Sequence, residues 1–113
     1  MRNAVISFLI LLAKAAIAAG NPVYVALDAE FGHKTSTSAQ AVQKGMEIAI
    51  DEINRAGGVL GRRNLELIVT DNKSIPAFDV DNLRELAAKK DLVGVFGAKF
   101  SPVVMVWIPV AKS

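Results

Sequence analysis

The 113-residue sequence contains no cysteine and one histidine, His33. Without cysteine, the chain forms no disulfide, no thiolate metal site and no lipid anchor on an N-terminal cysteine. One histidine without a cysteine partner cannot build the usual four-ligand zinc site. These absences exclude the disulfide-rich and zinc-stabilised classes of small protein, and we predict no metal site. A stable fold of this chain therefore depends on its apolar core.

An excess of charge of one sign is also missing once the N-terminus is set aside. Lys and Arg number 13 against 11 Asp and Glu, but Arg2 and Lys14 lie in a segment that we expect to be removed. The remaining 11 basic and 11 acidic residues balance, so no unbalanced basic patch indicates a nucleic-acid partner. Aromatic residues make up 6% and apolar residues 52% of the chain, which is typical of an aliphatic α/β core.

The N-terminus has the basic, apolar and small-residue order of a secretory signal peptide. Arg2 precedes an apolar run over residues 4–13, and small residues follow. Cleavage after Ala18 fits this pattern, and cleavage as late as Gly20 stays open. A membrane anchor is the alternative, but the run is far shorter than the roughly 20 residues that span a bilayer. We therefore expect residues 1–18 to direct export and the mature protein to be periplasmic.

Apolar periodicity in the mature chain predicts strands that alternate with helices. Residues 23–27 form a short β-branched run, and residues 64–71 and 92–97 have the pattern of two further strands. Between the first two strands, apolar residues recur at helical spacing over residues 42–53. Gly57 then supplies the left-handed residue that ends this helix.

Two start signals predict further helices. Ser74 with Pro76 is expected to open the second helix, because proline is tolerated in the first turn. Ser101, which is also followed by proline, is expected to open a third. The apolar run 103–110 is compatible with a strand as well, and Pro109 suits neither a central strand nor a helix interior. The start signal favours one buried helix.

The element order is therefore βαβαβα, which predicts an α/β fold with a parallel sheet and helices on both faces. If the strand order is 2-1-3, the first and third strands meet at a topological switch point. Ligands bind at the carboxyl ends of the strands at such points. The loops there are residues 28–38 and 97–101, and each leads into a predicted helix.

The turn between the first helix and the second strand carries a family resemblance. A helix ending in an INxxGG motif is followed there by a glycine loop, a strand and a DN step. The matching residues are Ile53-Asn54, Gly57-Gly58, Gly61-Arg62 and Asp71-Asn72. With these residues the chain resembles the leucine/isoleucine/valine-binding protein family, the type I periplasmic substrate-binding proteins of ABC importers.

The resemblance implies a two-lobed protein that traps its ligand between the lobes. On this basis residues 19–113 are an incomplete N-terminal lobe, which is not expected to bind ligand alone. The implied function is capture of a small amino acid of the branched-chain type, or a related carboxylate or amide, for an ABC permease. No enzyme activity and no cofactor are implied.

Polar residues at the switch point are the predicted ligand contacts. Ser101 offers a hydroxyl and a free backbone N–H at a helix start, which suits the carboxylate of an amino acid. Phe100 precedes it in the loop after the third strand. Ser36, Thr37 and Ser38 approach the same crevice from the first loop. Helix capping or simple solvation is the alternative role for each of these hydroxyls.

A flavodoxin-like FMN-binding redox protein is the alternative function. The hydroxyl-rich segment "KTSTSAQ" enters a helix after the first strand, somewhat like a phosphate-binding loop. A phospho-receiver domain shares the winding but needs an aspartate where this chain has Gly97, so we exclude it. The remaining charged residues are given structural roles. Asp28, Glu30, Asp71 and Asp79 are expected as strand-end and cap acids, and Arg62 and Arg63 as a solvated turn.

Overall fold

The computed structural model of the chain describes residues 20–32, 37–97 and 101–113. The predicted signal peptide, residues 1–18, lies outside this part. Strands and helices alternate through the described residues as predicted. In chain order they are β1 (Val23–Ala29), α1 (Thr37–Arg55), β2 (Leu65–Asp71), α2 (Pro76–Ala87), β3 (Leu92–Gly97), α3 (Ser101–Met105) and α4 (Trp107–Lys112).

The strands form a parallel sheet in the order β2-β1-β3, which is the order that puts a switch point between the first and third strands. β1 lies in the centre and pairs with β2 from Val23 opposite Leu65 to Ala29 opposite Asp71. It therefore runs two residues further than its apolar run alone predicts. On its other side β1 pairs with β3, with one irregularity in register near Tyr24. The switch point consequently lies between β1 and β3.

Alternate residues of β1 face opposite sides of the sheet, and helices cover both sides. On one side Leu27 and Ala29 pack with Ala39 of α1, in a core that Met46 and Leu67 extend. The intervening Asp28 faces the other side, where it accepts a hydrogen bond from Asn82 of α2. α3 and α4 pack against α2, on this second side. The predicted arrangement of helices on both faces is confirmed.

The glycines after α1 close the turn into β2. The N–H of Gly57 donates to the carbonyl of Asn54 (3.2 Å), and the N–H of Gly58 donates to that of Ile53 (3.0 Å). Both glycines have positive φ, 112° and 80°, which other residues adopt only under strain. A Cβ on Gly58 would lie 2.2 Å from the carbonyl oxygen of Arg63, so the turn leaves no room for a side chain there.

Asn54 ties the end of α1 to the start of β2. Its Nδ2 donates to the carbonyl oxygen of Leu65 (2.9 Å), and its Oδ1 accepts from the N–H of the same residue (2.8 Å). Leu65 is buried and lies at the edge of the sheet. The side chain thus replaces a neighbouring strand at this one residue, which gives Asn54 of the INxxGG motif a structural role.

Arg63 is not the solvated turn residue that we expected. Its guanidinium donates to the carbonyls of Asn21 (2.6 Å) and Pro22 (3.2 Å) and pairs with Asp91 at 3.1 Å. It therefore joins the segments that enter β1, β2 and β3 at the amino end of the sheet. Arg62, by contrast, is exposed as predicted.

The start of α2 differs from the prediction, because Ser74 is not its cap. Ile75 occupies the N-cap position without a side-chain hydrogen bond, and Pro76 follows in the first turn as expected. The side chains of two earlier residues shape the approach instead. Asp71 Oδ1 accepts from the N–H of Lys73 and Asn72 Oδ1 from that of Ser74, both at 2.9 Å, which makes two Asx turns.

The final apolar run is helical, but the prediction of one buried helix is wrong. The run divides at Val106 into α3 and α4, and Val103 is the buried residue of the pair. The break places Pro109 in the first turn of α4, where its missing N–H costs nothing. Within the described ranges, no helix combines the length and apolar character needed to cross a membrane.

We predict that Asn54→Ala destabilises the folded protein by about 2 kcal/mol, because two hydrogen bonds are lost and both backbone groups of Leu65 lose their partner. The control is Gln43→Ala, which removes an exposed hydrogen bond to Glu47 within α1 and should change stability by less than about 0.5 kcal/mol. Urea unfolding of the full-length protein measures both. Equal midpoints for Asn54→Ala and Gln43→Ala would contradict the bridging role.

Candidate ligand-binding site

A groove of about 230 Å³ opens at the carboxyl end of the sheet between α1 and β3. Its walls are mainly aliphatic or aromatic, with one hydroxyl and one acidic residue. The lining residues are Leu27, Ala29, Glu30, Ser38, Ala39, Val42, Phe96 and Gly97. The groove therefore lies at the switch point between β1 and β3, where the strand order predicts a ligand.

The groove exists because α1 covers only part of its side of the sheet. α1 packs against β2 and against Leu27 and Ala29 of β1, and leaves the same side of β3 uncovered. Phe96, the register partner of Leu27, is 56% exposed there, and Val42 of α1 is 50% exposed. Apolar surface that faces an open crevice at a switch point is the usual composition of a small-molecule site.

The structure brings one of the five predicted contacts into the groove. Ser38, in the first turn of α1, lines it. Thr37 and Ser101 are the first residues of α1 and α3; both are exposed and neither lines the groove. Ser36 and Phe100 lie outside the described residues. α3 has only five residues, so it presents a much weaker dipole than the 19-residue α1.

Sequence reasoning missed the contribution of β1 to the groove. Glu30 was expected as a strand-end acid, yet it is 3% exposed and lines the groove. Leu27 and Ala29 form the apolar floor with Phe96. Their positions in the sequence could have identified them as groove residues. Glu30 directly follows the strand at the switch point, and Leu27 and Ala29 lie on one face of that strand by alternation.

Gly97 is required by the close approach of β1 and β3 at the floor of the groove. It is the register partner of Asp28, and a Cβ at this position would lie 2.0 Å from the Asp28 carbonyl oxygen. No side chain fits in that space. This contact also explains in physical terms why an aspartate, as a phospho-receiver domain requires, is not accommodated here.

Directly behind this floor, Asp28 and Asp79 are both completely buried. Asp28 accepts hydrogen bonds from Thr70 (2.6 Å), Asn72 (3.0 Å) and Asn82 (2.8 Å). Burial, together with the neighbouring Asp28, raises the pKa of Asp79 from 3.8 to about 7. Asp28 lies near the end of β1 and Asp79 in the first turn of α2, as expected. Asp79 does not act as a cap, however, because neither of its carboxyl oxygens has a hydrogen-bond partner among the described residues.

The described residues offer little to hold a metal ion. Across residues 20–32, 37–97 and 101–113, no three His, Asp or Glu side chains are grouped to coordinate one. The polar atoms around Asp28 are hydroxyl and amide donors, which satisfy a carboxylate and leave it less available to a cation. The arrangement suits non-covalent binding of a small solute in the groove.

The model of a family described as periplasmic binding protein matches residues 22–113 of the chain. The chain belongs to the periplasmic binding protein family. The match covers every described strand and helix, and it confirms the resemblance carried by the INxxGG turn. Family membership favours a binding protein over the flavodoxin-like alternative.

One solved structure shows how this periplasmic binding protein compares with a relative. It is the branched-chain amino acid transporter substrate-binding protein LivJ from Streptococcus pneumoniae str. Canada MDR_19A, in complex with isoleucine. The two chains are 27% identical with a TM-score of 0.69, over 80% of this chain and 26% of LivJ. This chain thus spans about a quarter of the relative's length. A comparison with curated proteins gives no match.

We predict that Gly97→Ala costs about 1–3 kcal/mol of stability, because the new methyl group forces β1 and β3 apart. Gly94→Ala is the matched control in the same strand, since a Cβ there meets no atom within 4 Å. It should be neutral or slightly stabilising, because glycine weakens a strand interior. Urea unfolding of both variants measures the difference, and equal losses would show that the close approach to Asp28 does not limit this position.

Proposed function

We propose that the chain is the N-terminal part of a two-lobed periplasmic protein that captures a small apolar amino acid for an ABC importer. The observation that carries this proposal is the aliphatic groove at the switch point of a periplasmic-binding-protein fold. The isoleucine held by LivJ supports the choice of an aliphatic amino acid. Binding, without bond making or breaking, is the whole of the proposed activity.

The apolar part of the groove supplies affinity for an aliphatic side chain. Leu27, Ala39, Val42 and Phe96 line this part, and Val42 and Phe96 expose apolar surface to solvent. Burying a side chain of valine or leucine size is worth about 1.5–3 kcal/mol. That corresponds to about 10- to 150-fold in affinity, so the groove alone favours a branched aliphatic group over a polar one.

The start of α1 supplies donors for the ligand carboxylate. The first four N–H groups of a helix have no partner within it, and the helix dipole is positive at this end. The first turn of α1 contains no acidic residue. Thr37 and Ser38 add hydroxyls, and Ser101 offers another from the start of α3. Ser36 and Phe100, which directly precede Thr37 and Ser101 in the sequence, complete the proposed contacts.

A second lobe is proposed to close over this groove. The groove is open along β3, and the chain corresponds to 26% of LivJ. A site of this kind gains affinity when a second surface excludes water from the ligand. In our proposal the closed form is what an ABC permease recognises, and residues 19–113 alone do not bind tightly.

We predict that Ser38→Ala and Ser101→Ala each weaken isoleucine binding by the full-length protein about tenfold. Loss of a hydrogen bond to a charged group costs about 1.5–3 kcal/mol, and the backbone donors that remain keep the effect near the lower limit. Isothermal titration calorimetry measures it. The control is Ser113→Ala, whose hydroxyl donates to the Val110 carbonyl at the end of α4.

Three results separate the possible outcomes of this titration. Weakening by both variants with a normal Ser113→Ala supports carboxylate binding at these helix starts. Unchanged affinity in both Ser38→Ala and Ser101→Ala contradicts the assigned contacts. Failure of the parent protein to bind isoleucine, leucine or valine contradicts the proposed solute class.

A further inference from the structure

The side of β1 opposite the groove contains a polar cluster that the proposed binding function does not use. Asp28 is fully buried at its centre. Its Oδ1 accepts from Thr70 and Asn82, and its Oδ2 accepts from Asn72. Three donors from β2, the turn after it and α2 therefore converge on one carboxyl group and supply its buried oxygens with hydrogen bonds.

Asp79 is equally buried, but its environment is the opposite. It lies in the first turn of α2, and among the described residues no donor reaches either of its carboxyl oxygens in hydrogen-bonding geometry. An ionised Asp79 would be a buried charge without a hydrogen-bond partner among the described residues, close to the carboxyl group of Asp28. That arrangement is very unfavourable. A protonated Asp79 becomes a donor and can bond to Asp28.

Trp107 links this pair to the last helix. It is the first residue of α4 and the only tryptophan in the sequence. Its indole Nε1 is buried and, within the described part of the chain, has no acceptor in full hydrogen-bonding geometry. The indole nevertheless lies close enough to Asp79 to act on its carboxyl group. The position of α4 against α2 is therefore sensitive to the state of Asp79.

We propose that Asp28 and Asp79 hold one proton between them, and that this proton fastens α2 and Trp107 to the carboxyl end of β1. Loss of the proton loosens the packing of these elements, so the domain carries a pH-sensitive contact directly behind the floor of the candidate groove. This inference rests on the buried pair and holds whichever solute the groove takes.

The groups around Asp79 give the direction of the effect. Asp28 from β1 is the titratable group that acts on it. The neutral side chains of Trp107 from α4 and Asn72 from the turn after β2 act in the opposite direction and lower its pKa, and no described lysine or arginine contributes. Desolvation and Asp28 raise the pKa of Asp79 to about 7. The folded state therefore holds a proton that the unfolded state has already lost. Stability falls as pH rises from about 4 to about 7, then levels off.

The test follows the Trp107 indole N–H signal of the full-length protein by NMR between pH 5 and 9, with assignment by Trp107→Phe. We expect one transition with a midpoint near pH 7. Asp79→Asn should abolish it, because the amide cannot titrate. Asp81→Asn is the matched control, since Asp81 lies in the same helix but is 69% exposed, and it should leave the transition unchanged.

Stability and a second variant complete the test. The unfolding constant of the parent should rise by up to about tenfold per pH unit between pH 5 and 7, and Asp79→Asn should remove this dependence. If Asp79→Asn does not fold, Asp28→Asn provides the test instead. An asparagine at position 28 gives Asp79 a neutral neighbour, so the pH transition of the Trp107 signal should move to lower pH. A flat Trp107 signal in the parent overturns the proposal. An unchanged transition in either folded variant, Asp79→Asn or Asp28→Asn, also overturns it.

Discussion

Burial of β1 on both faces is the constraint on which the other features of this domain depend. The strand is central, so its alternate side chains must satisfy two different environments at once. Leu27 and Ala29 meet an apolar helix and form the floor of the groove, whereas Asp28 between them enters a polar cluster. The carbonyl of Asp28 also lies against Gly97. A substitution in this strand therefore affects the groove, the sheet and the packing of the helices behind it.

A buried carboxylate near the carboxyl end of a central strand is an unusual solution, because an unpaired buried charge costs far more than a buried methyl group contributes. Here three donors offset the cost for Asp28, and a shared proton would offset it for Asp79. The three donors lie more than 40 positions from Asp28 in the sequence. The polar cluster consequently specifies how β2 and α2 dock on β1 in a way that an aliphatic pair of the same size would not.

Local sequence patterns predicted the features that depend on neighbouring residues. The glycine turn after α1 and the alternation of strands and helices followed from short motifs and from apolar periodicity. The polar cluster around Asp28 depends on contacts 42 to 54 positions apart, for which one sequence carries no signal. Ser74 was misassigned because the side chain of Asn72 shapes the turn before α2. The groove exists because α1 does not cover its side of β3, and the apolar periodicity of a helix does not predict how much of a sheet the helix covers.

In the proposed function, the solute binds in the apolar groove at the switch point. The most direct measurement is methyl NMR of the full-length protein during titration with isoleucine. We expect saturable shifts for the methyl groups of Leu27, Ala39 and Val42, and none for Val23 or Ala88 at the amino end of the sheet. Shifts confined to the amino end, or saturable binding that leaves the groove methyls unmoved, would contradict it.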